Sequence, residues 1–299
     1  MQHRNVTLTS FNRRINFLMI FLVTIALSGP ATSDAQSKNK KGTLYTAPFG
    51  IQAYTFRKSF PNGVAATLDT IRMMGFTEIE GGGGQLSPEE FRKLCDDRGI
   101  SIPSTGAGYD QLVKDPAAVA TRAKALGAKY VMCAWIPHTK GAFNLENAKK
   151  AVEDFNTAGK VLKENGLTFC YHVHGYEFQP YEKGTLLDYL ITNTNPDYVS
   201  LVMDVLWTQF GGADPVRLLK KYGTHWKLMH LKDLRKGTPK DLTGGTSQEN
   251  DVPLGTGEID IPAILKEAKK IGITHYFIED ESSHVNMQVP QSIAYLKSL

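Results

Sequence analysis

Residues 167–205 read LTFCYHVHGYEFQPYEKGTLLDYLITNTNPDYVSLVMDV. An apolar run, LTFCYHVH (167–174), stops at two histidines. TLLDYLITN (185–193) then places apolar residues at helical spacing, and a second apolar run, DYVSLVMDV (197–205), contains Asp204 near its end. Strands that are apolar on both faces, joined through a helix, belong to a parallel sheet covered by helices. Each run also ends in imidazole or carboxylate groups, which are costly to bury without partners.

The same unit repeats in both directions. FGIQAYTF (49–56), TEIEG (77–81), ISIPSTGAG (100–108) and KYVMCAWIP (129–137) precede it, and WKLMHLKD (226–233) and HYFIEDE (275–281) follow it. Helical spacing lies between them and after the last, for example in NGVAATLDTIRMMG, DPAAVATRAKALG, residues 145–165 and IPAILKEAKKIG. SPEEFRKLCDDRG opens with Ser87 and carries Glu90 three residues on, the pattern of a capping box. Gly75, Gly99, Gly127, Gly166, Gly223 and Gly272 stand where left-handed helix ends are expected. Eight strand–helix units in about 250 residues predict a single (β/α)8 TIM barrel over residues 47–299.

The first residues read differently. Of the 299 residues, 41% are apolar and 21% charged, an ordinary globular composition. NRRINFLMIFLVTIALSGPATSDA pairs two arginines with an apolar stretch from Ile15 to Leu27, then small residues with Ser33 and Ala35 at cleavage-like spacing. Residues 1–35 are therefore expected to be a signal peptide, too short for a convincing membrane span. Residues 36–46 are polar and lysine-rich, a linker. The expected location is periplasmic or secreted, with no membrane span after cleavage. Removing the leader takes three Arg and one Asp and lowers the net charge from +4 to about +2, too little for a nucleic-acid partner. Cys95, Cys133 and Cys170 cannot all pair and are expected as buried free thiols.

In a barrel of this kind chemistry sits where strands end. Strand one carries Gln52 and Tyr54, strand two ends in Glu80, and strand four leads to His138. Strand five gives His172, His174 and then Glu177; the next three strands end in Asp204, His230 and Glu279. Period-2 alternation puts Cys170 with His172, Val202 with Asp204, Leu228 with His230 and Phe277 with Glu279 on common inward faces. Carboxylates crowded at one mouth repel unless a cation or shared protons intervene. The mixed oxygen and nitrogen set, without thiolate, suits one divalent metal ion: Mn²⁺, Mg²⁺, Co²⁺ or Zn²⁺. Tyr54, Trp135, Tyr176 and Trp207 near strand ends suit the apolar faces of a sugar and suit core packing equally.

At these residues the chain resembles the sugar isomerase/epimerase superfamily with the xylose-isomerase-like TIM barrel, from about residue 48 to the C-terminus. FGIQAYTFR resembles its opening strand, and YHVHGYEF its Y-H-N-H-x-x-E-F signature with Val173 in place of Asn. MDVLW with GGADP, HLKD, GTGEID and FIEDE follow in the family's order. The resemblance implies Asp204, His230 and Glu279 as metal ligands. Many members take a fourth ligand, a Glu, from strand five itself. Here that place is held by Tyr171 or His172, and Glu177 comes later. Glu177 is favoured, because a carboxylate fits the hard-ion set, with His172 as the alternative. The superfamily also holds zinc-dependent AP endonucleases. Their additional metal ligands have no counterpart here, where Glu80, Ser104 or Thr105, and Trp207 stand.

The function so implied is an exported, metal-dependent carbohydrate isomerase or epimerase. It removes a proton next to a carbonyl and passes through an enediolate. Glu177, Glu279 and His172 are the candidate bases; Gln52, Tyr54, Glu80, His138, His174 and Trp207 are candidate substrate contacts. Two alternatives stand beside it: a lyase or dehydratase acting on a keto-sugar with the same site, and a non-catalytic sugar-binding protein. A small-molecule carbohydrate is the expected partner. A phosphorylated one is not expected for an exported protein, and GGGG (81–84) lacks the lysine of a phosphate-binding P-loop. The oligomeric state is not legible in the sequence.

Overall fold

The computed structural model describes residues 43–45, 48–82 and 84–299. The expected signal peptide and residues 36–42 and 46 of the expected linker lie outside the described residues. Eight parallel strands close into a barrel: β1 (Phe49–Gln52), β2 (Glu78–Glu80), β3 (Ser101–Gly106), β4 (Tyr130–Cys133), β5 (Thr168–His172), β6 (Val199–Asp204), β7 (Trp226–Leu231) and β8 (His275–Ile278). Each pairs in parallel with its neighbours in sequence, and β8 pairs with β1. The outer helices are α1 (Val64–Met73), α2 (Pro88–Asp96), α3 (Pro116–Leu126), α4 (Leu145–Glu164), α5 (Leu186–Asn193), α6 (Pro215–Tyr222), α7 (Ile261–Ile271) and α8 (Val285–Ser298).

Local signals account for the helix ends. Ser87 Oγ accepts from Glu90 N at 3.2 Å and Ser87 N donates to Glu90 Oε2 at 2.9 Å, closing the expected capping box of α2. All six expected helix-end glycines have positive φ, from 50° to 97°. The three cysteines are buried and free.

The core has two parts. A large shell lies between strands and helices, and a small inner cluster of Met132, Cys170, Val202, Leu228 and Phe277 fills the barrel. Four of these five stand two residues before His172, Asp204, His230 and Glu279. Alternation therefore sets those polar side chains one layer above a dry plug, facing inward at the C-terminal mouth.

The strands are shorter at their C-terminal ends than the apolar runs suggest. β1 gives way to a 3-10 turn over Ala53–Phe56, so Tyr54 lies on that turn and is 48% exposed. A short helix, Val205–Phe210, follows β6 directly and had no expectation in the sequence. In both places a side chain at the strand's end caps the turn: Gln52 Oε1 accepts from Tyr54 N at 2.5 Å, and Asp204 Oδ1 from Trp207 N at 2.9 Å.

Candidate active site

Asp204 has one carboxylate oxygen committed to the cap, which leaves Oδ2 for the barrel mouth. That oxygen lies 3.3 Å from His172 Nε2, 3.9 Å from His230 Nδ1 and 4.0 Å from Lys232 Nζ. Glu279, one residue beyond β8, brings Oε2 to 3.1 Å from His230 Nδ1. His172, Asp204, His230 and Glu279 each offer one ligand atom, all within 4.8 Å of one another, and all four residues are buried.

The donor set fits a divalent cation. His230 Nε2 lies 2.5 Å from Glu80 Oε2, and Ser104 Oγ donates to Glu80 Oε1 at 2.5 Å. The opposite ring nitrogen, Nδ1, is buried without a hydrogen-bond partner and faces Asp204 and Glu279. An imidazole held through one nitrogen by a carboxylate, with the other aimed at two more carboxylates, is the usual second layer of support for a metal ligand. Two nitrogens and two oxygens suit Zn²⁺, Mn²⁺ or Co²⁺.

Glu177 corrects the expectation for the fourth position. Its carboxylate is buried elsewhere: Tyr171 Oη donates to Oε1, and His174 N donates to both oxygens at 3.0 and 3.2 Å. Tyr171 Oη also meets Tyr176 Oη at 2.9 Å, which in turn accepts from Ile136 N at 2.9 Å. Gly175, at φ 90°, turns the chain so that the 3-10 turn Tyr176–Phe178 folds Glu177 back onto β5. The place among the four falls to His172, which the inward face of β5 carries directly. Burial raises the Glu177 carboxyl to about 7, against the hydrogen bonds it accepts.

The strongest feature missing from the sequence reading is Lys232. It is 1% exposed and lies 2.5 Å from Glu281, 3.5 Å from Glu279, 3.8 Å from Asp251 and 4.0 Å from Asp204. Its Nζ also stands 5.2 Å from the centre of the Trp207 ring. Burial opposes its charge, but Glu279, Glu281, Asp204 and Asp251 outweigh burial and hold its pKa well up. In return, against the cost of burial, Lys232 and His230 hold the Glu279 carboxyl below the usual range, and Lys232 and His172 lower Asp204. Lys232 stands inside HLKD, two residues after His230 and one beyond the end of β7, and that spacing was the available signal.

The remaining expected contacts divide into groups. His174 stacks on Trp207 with ring centres 4.8 Å apart, and its Nδ1 lies 3.1 Å from His172 Nδ1. Burial and then His172 lower its pKa to about 3, so it is neutral at ordinary pH. Trp135 meets His174 edge-on at 5.4 Å, so two indoles flank that imidazole. His138 is stacked on the other side of this wall, 4.7 Å from Trp135, with Nδ1 bound to Ile136 O at 2.7 Å. Glu80 supports His230, as described. Gln52 and Tyr54 line a cavity of about 670 Å³ over the ends of β1, β2 and β3.

A family model described as xylose isomerase-like TIM barrel matches residues 68–299. The chain belongs to this family. Among curated relatives, the inosose dehydratase of Clostridium perfringens is 33% identical over 136 residues, which span 42% of this chain and 44% of that protein. The matched part is thus less than half of the relative's length. A crystal structure of a sugar phosphate isomerase/epimerase from Parabacteroides distasonis is 25% identical, with a TM-score of 0.70 over 90% of this chain and 98% of that one. The IOLI protein, solved with a zinc atom bound, shares the fold at 16% identity and a TM-score of 0.65, over 84% of this chain and 95% of that one.

Proposed function

We propose that this xylose isomerase-like barrel is a metal-dependent enzyme that removes a proton beside the carbonyl of a carbohydrate. The observation that carries the reading is the four-residue group over the barrel plug, with His230 Nδ1 buried inside it and turned to the Asp204 and Glu279 carboxylates. His172, Asp204, His230 and Glu279 would hold a divalent ion, whose positive charge would stabilise negative charge developing on the substrate. Lys232 keeps Glu279 ionised, so that carboxylate can accept a proton; His172, expected as the other candidate base, has both ring nitrogens committed and does not serve as one. His172, with Nε2 turned to the group, donates its Nδ1–H to His174 Nδ1. That leaves the His174 Nε2–H to bind a substrate oxygen beside the Trp207 ring. Glu177 braces the β5 turn and is not the base.

The enediolate has two outcomes from one site. Return of the proton gives isomerisation or epimerisation; loss of a neighbouring hydroxide, taken up with a proton as water, gives dehydration. Dehydration is supported by the inosose dehydratase relatives, and epimerisation by the name of the structural neighbour. The decisive experiment incubates metal-analysed protein with an inosose and with a 3-keto-hexose in D₂O. Deuterium at the carbon next to the carbonyl is the expected result, and product mass then separates exchange from loss of water. A metal-loaded protein that exchanges no proton in either compound, nor in a keto-sugar carrying a carboxylate or phosphate, overturns catalysis in favour of sugar binding alone. Asp204→Ala and His230→Ala are expected to lose the divalent metal while remaining folded; unchanged metal content in both would remove the centre.

The reading extends to location. Residues 1–35 act as an export signal and the mature chain works in the periplasm or outside the cell, with a neutral sugar or an oxidised one within reach. Among the described residues no helix is long and apolar enough to cross a membrane.

A further inference from the structure

The cavity over β1, β2 and β3 has a charge character opposite to that of the four-residue group. Among the described residues two guanidinium groups line it, Arg57 from the turn after β1 and Arg122 from α3, and no carboxylate does. Among the described residues neither arginine has a carboxylate within ion-pair distance. Arg57 Nη2 donates to the Glu281 backbone oxygen at 2.6 Å and Nη1 to Tyr54 O at 3.1 Å, while its guanidinium carbon stands 4.5 Å from the Tyr54 ring centre. The Glu281 carboxylate, which would be the natural counter-charge, is taken up by Lys232 at 2.5 Å. Arg122 Nη1 donates to Gly106 O at 3.1 Å and Thr105 Oγ1 at 3.3 Å, both uncharged acceptors. Gly82 makes this possible: a Cβ there would come within 2.9 Å of Arg122 Nη2 and 3.2 Å of Leu126.

The two regions adjoin. Glu80, which holds His230, is followed directly by Gly81 and Gly82 of the cavity wall, and Gln52 pairs with Glu80 across β1 and β2. The cavity wall is thus cationic, beside a buried group rich in carboxylate and imidazole. We propose that the cavity is a subsite for an oxyanion, carboxylate or phosphate, carried by the carbohydrate at a distance from its reacting carbon. This rests on the proposed proton abstraction only for the word carbohydrate; the anion subsite itself stands on the cavity. Planar guanidinium groups, pre-oriented by carbonyls and an aromatic ring, present their remaining N–H donors to such an anion. Opposed charge at the two ends of the mouth also fixes which way round the substrate enters. An uncharged sugar leaves both arginines without a counter-charge.

The test is NMR titration of purified protein with acetate and with inorganic phosphate, followed at the Gly81, Gly82 and Gly84 amides and the arginine Nε–H groups. Localised, saturating shifts are expected, weakened about tenfold or more in Arg57→Gln and in Arg122→Gln, and retained in part in Arg122→Lys. The acetate and phosphate arms tell carboxylate from phosphate by which saturates at lower concentration. D-glucuronate and D-glucose 6-phosphate, set against D-glucose, extend the comparison to a sugar frame, with the charged member shifting the same signals more strongly. Absence of saturating shifts with both anions, or shifts unchanged in the double Arg57→Gln/Arg122→Gln variant, overturns the subsite. The measurement needs neither metal nor turnover. Loss of the metal reading would leave it intact, and its own failure would leave proton abstraction standing.

Discussion

His172 and Glu177 stand five positions apart, and the chain separates their roles through one glycine. Because His172 is among the four and Glu177 is not, His172→Ala is expected to lose most of the bound divalent metal, whereas Glu177→Gln keeps it; elemental analysis of both variants decides. Glu177 instead carries a pH signature. Its folded pKa, about 7, lies above its ordinary value of 4.5. Between those values the folded chain holds a proton that the unfolded chain has released, so stability falls as pH rises through that window. The loss amounts to about 3 kcal/mol and is complete above pH 7. In Glu177→Gln this dependence should vanish, as urea melts at pH 5 and pH 8 would show; an unchanged pH dependence contradicts the assignment. Lys232 is the opposite case, a cation that neutralises four carboxylates. Lys232→Met is expected to cost the metal-free protein about 3–5 kcal/mol, since charges are left buried without a partner. Added divalent metal should then raise its melting temperature more than that of the parent chain.

At the scale of elements, two of the quoted motifs meet in one clamp. Asp233, the last residue of HLKD, accepts from Leu234 N at 2.9 Å, Gly255 N at 2.9 Å, Gly257 N at 2.9 Å and Ile259 N at 3.1 Å. HLKD and GTGEID therefore occur together because one side chain holds the backbone of the other segment, which keeps the loop after β7 next to Lys232. A Cβ on Gly257 would overlap the Asp233 carboxylate and the Leu234 carbonyl. Gly257→Ala is expected to destabilise the chain by about 1–3 kcal/mol, the usual cost of overpacking, measured by chemical denaturation. An unchanged midpoint would show that the clamp yields freely. The short helix after β6 works in the same way on a smaller scale. Asp204 caps it with one oxygen, and the cap turns the other toward His172 and His230. A carboxylate that ends a strand and starts a helix thus serves both the fold and the candidate centre.

For the molecule as a whole, the export reading predicts a mature chain starting near Gln36 in the extracytoplasmic fraction, decided by N-terminal sequencing of natively produced protein; a start at Met1 in the cytoplasm would refute it. The barrel itself was legible along the chain, because helix caps, glycine ends and apolar period are local, and eight repeats of a local unit leave few ways to close a sheet. Asp204, His230 and Glu279 were legible as well, since alternation within a strand fixes the face a side chain takes. The choice between His172 and Glu177 was not, because it depends on a left-handed turn at Gly175 and on Tyr171 receiving the glutamate. Lys232 escaped because its four carboxylates come from β6 and the segments after β7 and β8. The unneutralised pair Arg57 and Arg122 escaped for the same reason. Sequence alone determined that Asp204, His230 and Glu279 face the barrel mouth; only the closed tertiary structure decided which charges there compensate one another, because Coulomb energy depends on distance across the barrel and not on separation along the chain.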